Sequence, residues 1–206
     1  MRIAVVGSGR IGAGLGRAWV RAGHAVVFGV RHPDDPKYAP LMAETGAVVT
    51  TLAAALDGAD VTVLATPFSA VPDVARELPD WSGRVVIDCT NAIGPGPSLA
   101  VGHTDSAAEV NARLLPGARL VKSFTAQGAE SLAHPVYAGV RATNFYCGDD
   151  AHAKGVVRGL IEDVGFEPLD LGGLSAARVL EPMTLVWLLA SRALGSREFA
   201  FTLLRQ

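Results

Sequence analysis

Cysteine is scarce in this chain. Only Cys89 and Cys147 occur in 206 residues, far apart and without a C-x-x-C pair. A disulfide framework and a cysteine zinc site are therefore not expected, and a reducing cytoplasm is the default setting. Basic surplus is also missing: the net charge is −2, which excludes the electrostatic footprint of a nucleic-acid binder. No block of like charges marks a tail. No apolar run reaches the roughly 18 residues of a membrane span, because Met183–Leu189 is interrupted by Thr184 and followed by Ser191 and Arg192. The opening stretch Ile3–Val6 stops at Gly7, too short for a secretion signal. Neither a nucleic acid nor a membrane is expected as partner.

Hydrophobic residues, by contrast, make up 50% of the chain, and glycine occurs 23 times against 6% aromatics. That mix suits aliphatic parallel strands joined by tight turns, and the length suits one ample domain or one with a small appendage. Strand-length apolar runs recur at Ile3–Val6, Ala25–Phe28, Val48–Val49, Val61–Ala65, Val85–Ile87 and Leu120–Val121. Most do not alternate with polar residues, as expected of strands buried on both faces. Segments of helical character lie between them: Ile11–Ala22, Tyr38–Glu44, Leu52–Leu56, Ala70–Glu77 and Ser106–Leu115. Strand–helix alternation implies right-handed crossovers. Past Lys122, Thr143–Cys147 reads as a strand, Ala151–Val164 as a helix capped by Asp149 or Asp150, and Phe166–Leu169 as a further strand. The fold class is α/β: a Rossmann-type, mostly parallel sheet with helices on both faces. Residues 1–170 form the nucleotide-binding domain in this reading, and 171–206 a small C-terminal helical cap or dimerisation segment. Ser175–Leu204 reads as two helices, with Pro182 starting or kinking one and Gly195 a break.

The first strand runs into Gly7-Ser8-Gly9-Arg10-Ile11-Gly12. In a dinucleotide site the first glycine permits the tight turn, the second lets backbone approach the pyrophosphate, and the third lets helix and strand pack closely. The following helix aims free N–H groups at phosphate. A G-x-G-x-x-G alone is weak, but here it follows a strand and opens a helix, the context that the motif requires. The second strand ends Val27-Phe28-Gly29-Val30-Arg31-His32 and offers no carboxylate for ribose hydroxyls. Arg31 stands there instead, with His32 beside it and Lys37 slightly later. A guanidinium bonds a phosphate in bidentate fashion, which favours the 2′-phosphate of NADP(H). Asp34 and Asp35 oppose this by offsetting the basic charge.

Taken together, Ile3–Gly12, Gly23–Pro33, Ala65–Phe68, Val121–Thr125, Cys147–Asp150, Pro168–Gly172 and Ala177–Pro182 resemble the NADPH-dependent deazaflavin (coenzyme F420) reductase family. That family lies within the wider group of pyrroline-5-carboxylate reductase-like NADP-binding domains, and the same fold serves as the reductase domain of membrane metalloreductases. The resemblance implies that Gly7, Ser8, Gly9, Arg10 and Ile11 hold the pyrophosphate and Arg31 the 2′-phosphate. It implies that Thr66, Pro67 and Phe68 line the ribose and nicotinamide. Asn91 and the stretch Thr125–Ala129, with Gln127 and Ala129, would shape the hydride-transfer pocket. Two positions depart from the family. Many relatives carry Ser or Thr where Val30 stands, and Asn where Thr125 stands.

Hydride transfer is chemistry carried by cofactors, with the protein supplying binding and orientation. No catalytic side chain and no metal site is assigned. Lys122 is either a proton donor or the neutraliser of a buried carboxylate. Cys147 reads as a small core residue, and Arg178 and Glu181 as an i, i+3 salt pair. The expected activity is hydride transfer between NADPH and a small-molecule acceptor, with coenzyme F420 or a flavin as co-substrate, in a homodimer. The alternatives are an NADPH-dependent imine or carbonyl reductase and a non-catalytic NADP(H)-binding module.

Overall fold

The computed structural model describes residues 1–204, so the last two residues of the expected 171–206 segment lie outside the described residues. In chain order the elements are β1 (Arg2–Val6), α1 (Arg10–Arg21), β2 (Ala25–Gly29), α2 (Ala39–Thr45), β3 (Val48–Thr50), α3 (Leu52–Leu56), β4 (Val61–Leu64), α4 (Val71–Ala75) and β5 (Val85–Asp88). There follow α5 (Ala107–Leu114), β6 (Arg119–Lys122), β7 (Val136–Tyr137), β8 (Val140–Arg141), β9 (Thr143–Gly148), α6 (Ala151–Val164), β10 (Glu167–Asp170), α7 (Ala177–Leu180) and α8 (Met183–Leu194).

The main sheet has the order β10-β9-β6-β5-β4-β1-β2-β3. Strands β1 to β6 all pair in parallel, and each of their apolar runs feeds both faces. Ile3 and Val5 of β1 join a core cluster with Leu15, Trp19 and Phe28, whereas Ala4 and Val6 join a second cluster with Leu56, Leu64 and Val71. This two-sided burial explains why the strands read as continuous rather than alternating hydrophobic runs. On the first face, the Trp19 indole N–H donates to the Leu160 carbonyl at 3.0 Å, joining α1 to α6.

The expected α/β architecture is present, with three differences beyond Lys122. First, β9 runs antiparallel to β6. The intervening chain carries only a 3-10 turn at Ala129–Leu132 and the hairpin β7–β8, not the crossover helix a parallel return requires. Second, that hairpin was not anticipated; it turns at Ala138-Gly139, both at positive φ (49° and 80°). Third, helix ends at Gly195, which caps α8 at φ 61°. Residues 196–204 are not helical. They run back over the body, where the Thr143 N–H donates to the Phe201 carbonyl at 2.9 Å, and Phe199 stacks on Trp187.

The stretch Leu174–Leu194 is continuous enough in helical turns, and apolar enough, to meet the length and composition of a membrane span. The expectation that no segment does so is corrected on that count. A third of it is buried against the domain, including the carboxylate of Glu181.

Candidate functional site

The strand order reverses at β1, whose neighbours β2 and β4 lead away in opposite directions. Ligands of open α/β sheets bind at such a switch point, outside the carboxyl ends of the strands. The glycine turn is built there. Gly7 adopts φ +97°, and a Cβ at Gly7 would meet the Ala65 carbonyl oxygen at 2.6 Å. A Cβ at Gly12 would lie 2.1 Å from the Gly7 oxygen. Gly9 differs: a Cβ there would meet nothing within 4 Å. Packing explains the glycines at 7 and 12, while open space beside Gly9 is what an approaching ligand would use. Gly9 is also the N-cap of α1, without a side-chain cap and with no acid in the first turn. The first N–H groups of α1 thus stay available to an anion.

Beside this turn opens a cavity of about 400 Å³. Of the sequence-predicted residues, Gly7, Ser8, Arg31, His32, Lys37, Thr66 and Pro67 line it. Arg31 is the freest cation on its rim. Its side chain is 67% exposed, and its only ion contact among the described residues, to Asp73, is 4.0 Å long. Lys37 is committed elsewhere, to Asp35 at 2.6 Å. Asp35 also accepts the Lys37 backbone N–H at 3.0 Å, capping the turn Pro36–Tyr38. These hydrogen bonds hold the Asp35 carboxyl below its ordinary range and raise the Lys37 amine. The charge of Asp35 is spent on Lys37, so it does not cancel Arg31.

Phe68, Asn91, Thr125, Gln127 and Ala129 lie beyond this cavity, as do Gly9, Arg10, Ile11 and Gly12. Phe68 opens a 3-10 turn after Pro67. The Arg10 guanidinium is turned onto Glu130, which also takes Arg197 at 2.9 Å. Asn91 and Thr125 meet directly: the Thr125 hydroxyl donates to Asn91 Oδ1 at 2.5 Å. Sequence reasoning missed a third member, Thr184 of α8, whose hydroxyl lies 2.9 Å from the Thr125 carbonyl and 3.1 Å from Asn91 Oδ1. In sequence Thr184 shows only as a polar interruption of an apolar helix. Gln127 Nε2, on the same loop, is buried without a partner among the described residues, and Ala129 starts the 3-10 turn beyond it.

Beneath this edge lies a buried charge cluster. Lys122 is fully buried, with Glu181 Oε1 at 3.1 Å and Asp88 Oδ2 at 3.4 Å, and it donates to the Thr90 carbonyl. Asn111 bonds Asp88 and Thr90, both at 3.1 Å. Burial works against the ammonium charge, but the two carboxylates outweigh it and raise the Lys122 pKa above its ordinary value. Lys122 is thus a neutraliser of buried carboxylates and has no path to a substrate. The expected Arg178–Glu181 pair is not formed. Glu181 instead accepts the Ala107 and Ala108 N–H groups at 2.9 and 3.0 Å, capping α5, because its side chain points into the domain. Arg178 grips Glu109 of the same helix, α5. Cys147 is buried, and burial pushes its thiol up to about 12.

Residues 2–92 match the profile of the NADP oxidoreductase family described as coenzyme F420-dependent. Those residues carry that family's domain. The segment spans β1 to the carboxyl end of β5, and so contains both the glycine turn and Arg31. The structure is similar over the full length of both chains to one from Arthrobacter sp. FB24, provisionally assigned as an F420-dependent NADP-reductase (TM-score 0.89, 29% identity). It is also similar to the hypothetical protein SMa0349 of Sinorhizobium meliloti, at TM-score 0.76 and 30% identity over 86% of this chain and 87% of that one. Among curated proteins, Metalloreductase STEAP3 of Rattus norvegicus is 30% identical over 190 residues, 89% of this chain and 36% of its own length. The chain spans about a third of that relative. The matched segment is a domain of that NADP oxidoreductase family, and its residues fit the coenzyme: open space at Gly9 and an uncapped helix terminus follow directly on Gly7 and Ser8, which line the cavity that Arg31 rims.

Proposed function

We propose that this domain transfers a hydride between NADP(H) and a deazaflavin or flavin acceptor. The observation that carries the coenzyme half is Arg31, standing free at the cavity rim where an NAD-preferring site carries a carboxylate. In this reading the N–H groups of Ser8, Gly9, Arg10 and Ile11 receive the pyrophosphate, and the guanidinium of Arg31 the 2′-phosphate. His32 and Lys37 add positive charge at the rim. Thr66, Pro67 and Phe68 line the path along the ends of β4, and Asn91, Thr125, Gln127 and Ala129 bound the redox end. The bound coenzyme supplies the transferable hydride. The protein's share is to hold the reacting rings at contact and keep water out.

The acceptor half rests on what the redox edge offers. Lys122 is locked under Glu181, and both thiols are buried with raised pKa values. The edge itself presents threonine hydroxyls and carboxamides, groups that orient an acceptor without serving as strong acids. A flavin-type ring suits such an edge better than an imine or ketone, whose reduction wants a proton donor. A homodimer belongs to the same proposal: Val179, Val186, Leu189 and Leu194 leave an exposed apolar stripe on α7 and α8. A monomer in analytical sedimentation would remove that part.

The test is to follow NADPH absorbance with coenzyme F420, FMN, FAD and a cyclic imine in parallel. Oxidation dependent on F420 or a flavin is the expected result. Turnover with the imine alone would favour a small-substrate reductase, and binding without turnover on any acceptor would leave a non-catalytic module.

A further inference from the structure

We infer that Thr184 is a positioning residue for the nicotinamide end of the coenzyme, acting through Asn91; this rests on the NADP(H) reading above.

The argument is one of hydrogen counting. The 2.5 Å contact between Thr125 Oγ1 and Asn91 is an O–H···O length, shorter than N–H···O bonds adopt. It therefore fixes the Asn91 amide with its oxygen inward. Asn91 Nδ2 donates one hydrogen to the Thr125 carbonyl at 3.4 Å. The Thr184 hydroxyl has a single proton, placed between the Thr125 carbonyl at 2.9 Å and Asn91 Oδ1 at 3.1 Å. The amide oxygen then accepts from Thr125 and shares the Thr184 proton with the Thr125 carbonyl, and a flipped amide would bring Nδ2 to 2.5 Å from the Thr125 oxygen, too close for an N–H···O bond. The second Asn91 N–H has no partner among the described residues, and Asn91 is half-buried at the carboxyl edge of β5. A carbonyl oxygen arriving from the crevice finds a donor of fixed direction. The carboxamide of a nicotinamide ring presents such an oxygen.

Thr184 itself is held rigidly. It is 7% exposed, and its N–H donates to the Glu181 carbonyl at 3.0 Å. The Glu181 carboxylate is pinned by α5 and Lys122. On the same loop Gln127, two residues past Thr125, buries an amide nitrogen with no acceptor among the described residues. Such a donor is costly unless something arrives to accept from it.

The test uses two ligands on the intact chain. NADPH carries both ends of the coenzyme, and 2′,5′-ADP carries only the end read by Arg31. Thr184→Val keeps the side-chain shape and removes the hydroxyl. It is expected to weaken NADPH by about fivefold in calorimetry, the scale of one lost neutral hydrogen bond, while leaving 2′,5′-ADP unchanged. Thr184→Ser is expected to restore NADPH affinity to within about twofold. Unaltered NADPH affinity in Thr184→Val, equal weakening of both ligands, or failure of Thr184→Ser to restore would each overturn the inference. If the unsubstituted protein takes up 2′,5′-ADP but gains nothing from the nicotinamide half, this inference fails and the Arg31 reading stands. If it takes up neither ligand, the coenzyme reading itself fails.

Discussion

Lys122 illustrates how a single residue can be read two ways until its surroundings are known. A lysine at a strand end suits either a proton donor or a buried counter-ion. The structure decides by supplying Asp88 and Glu181 at 3.4 and 3.1 Å with no solvent exposure. Removing one member of such a cluster leaves the others charged and unpaired. Lys122→Met is expected to cost about 3–5 kcal/mol of stability in denaturant unfolding, far more than its volume change alone would. Because the folded pKa is raised above the ordinary 10.5, the stabilisation is fully present below that value. It is lost only as pH climbs beyond it, toward the folded value. A flat stability profile between pH 6 and 9 (roughly) is expected of this cluster, and a lysine-linked slope there would contradict it. The thiols give a second residue-scale prediction. Cys89 and Cys147 are both buried and both shifted upward, so a thiol reagent at neutral pH should label neither until the protein unfolds. Glu181 was not legible from sequence for a related reason. Spacing showed only that Arg178 lay one turn away, not that each side chain takes its own partner on α5.

At the scale of elements, the glycine turn was legible because its constraints are local. The distinct roles of its glycines now make distinct predictions. Gly12→Ala forces a Cβ against the Gly7 oxygen at 2.1 Å and should destabilise the fold by about 1–3 kcal/mol. Gly9→Ala meets nothing in the protein, and its φ of −67° suits alanine. It should melt like the unsubstituted chain yet bind NADPH more than about tenfold less well. Loss of stability in Gly9→Ala, or full binding in Gly12→Ala at unchanged stability, would contradict these roles. The cap of α6 was equally local: Asp150 accepts the Ala153 N–H at 2.8 Å, as the acid before an apolar helix implied. Strand direction was not local. The run Thr143–Cys147 looks the same whether the chain arrives parallel or antiparallel, and only the missing crossover helix before it determines the outcome. The redox edge was half legible for the same reason. Asn91 and Thr125 follow adjacent strands, but Thr184 comes from a helix whose packing no periodicity reveals.

For the whole molecule, the question is how the C-terminal helices are kept on a sheet that ends before them. Two joints tie α7 to α5. One is the buried cap by Glu181. The other is Glu109 with Arg178, three contacts between 2.6 and 3.2 Å. Arg178 holds the Glu109 carboxyl below its ordinary 4.5. The contribution is therefore present above that pH and lost as pH falls toward the folded value. Arg178→Gln should flatten the acid limb of stability below about pH 4.5, and an unchanged limb would show that the joint carries no weight. The same docking brings Thr184 onto Asn91 and Thr125 at the sheet edge, where the proposed site needs it. In the proposed reading one cation, Arg31, decides which coenzyme is admitted. Calorimetric titration of NADPH and NADH into the unsubstituted protein and into Arg31→Ala tests this most directly. The account predicts a preference for NADPH that Arg31→Ala reduces by about 1.5–3 kcal/mol, with NADH nearly unaffected. Equal weakening of both coenzymes, or no preference to begin with, would contradict it.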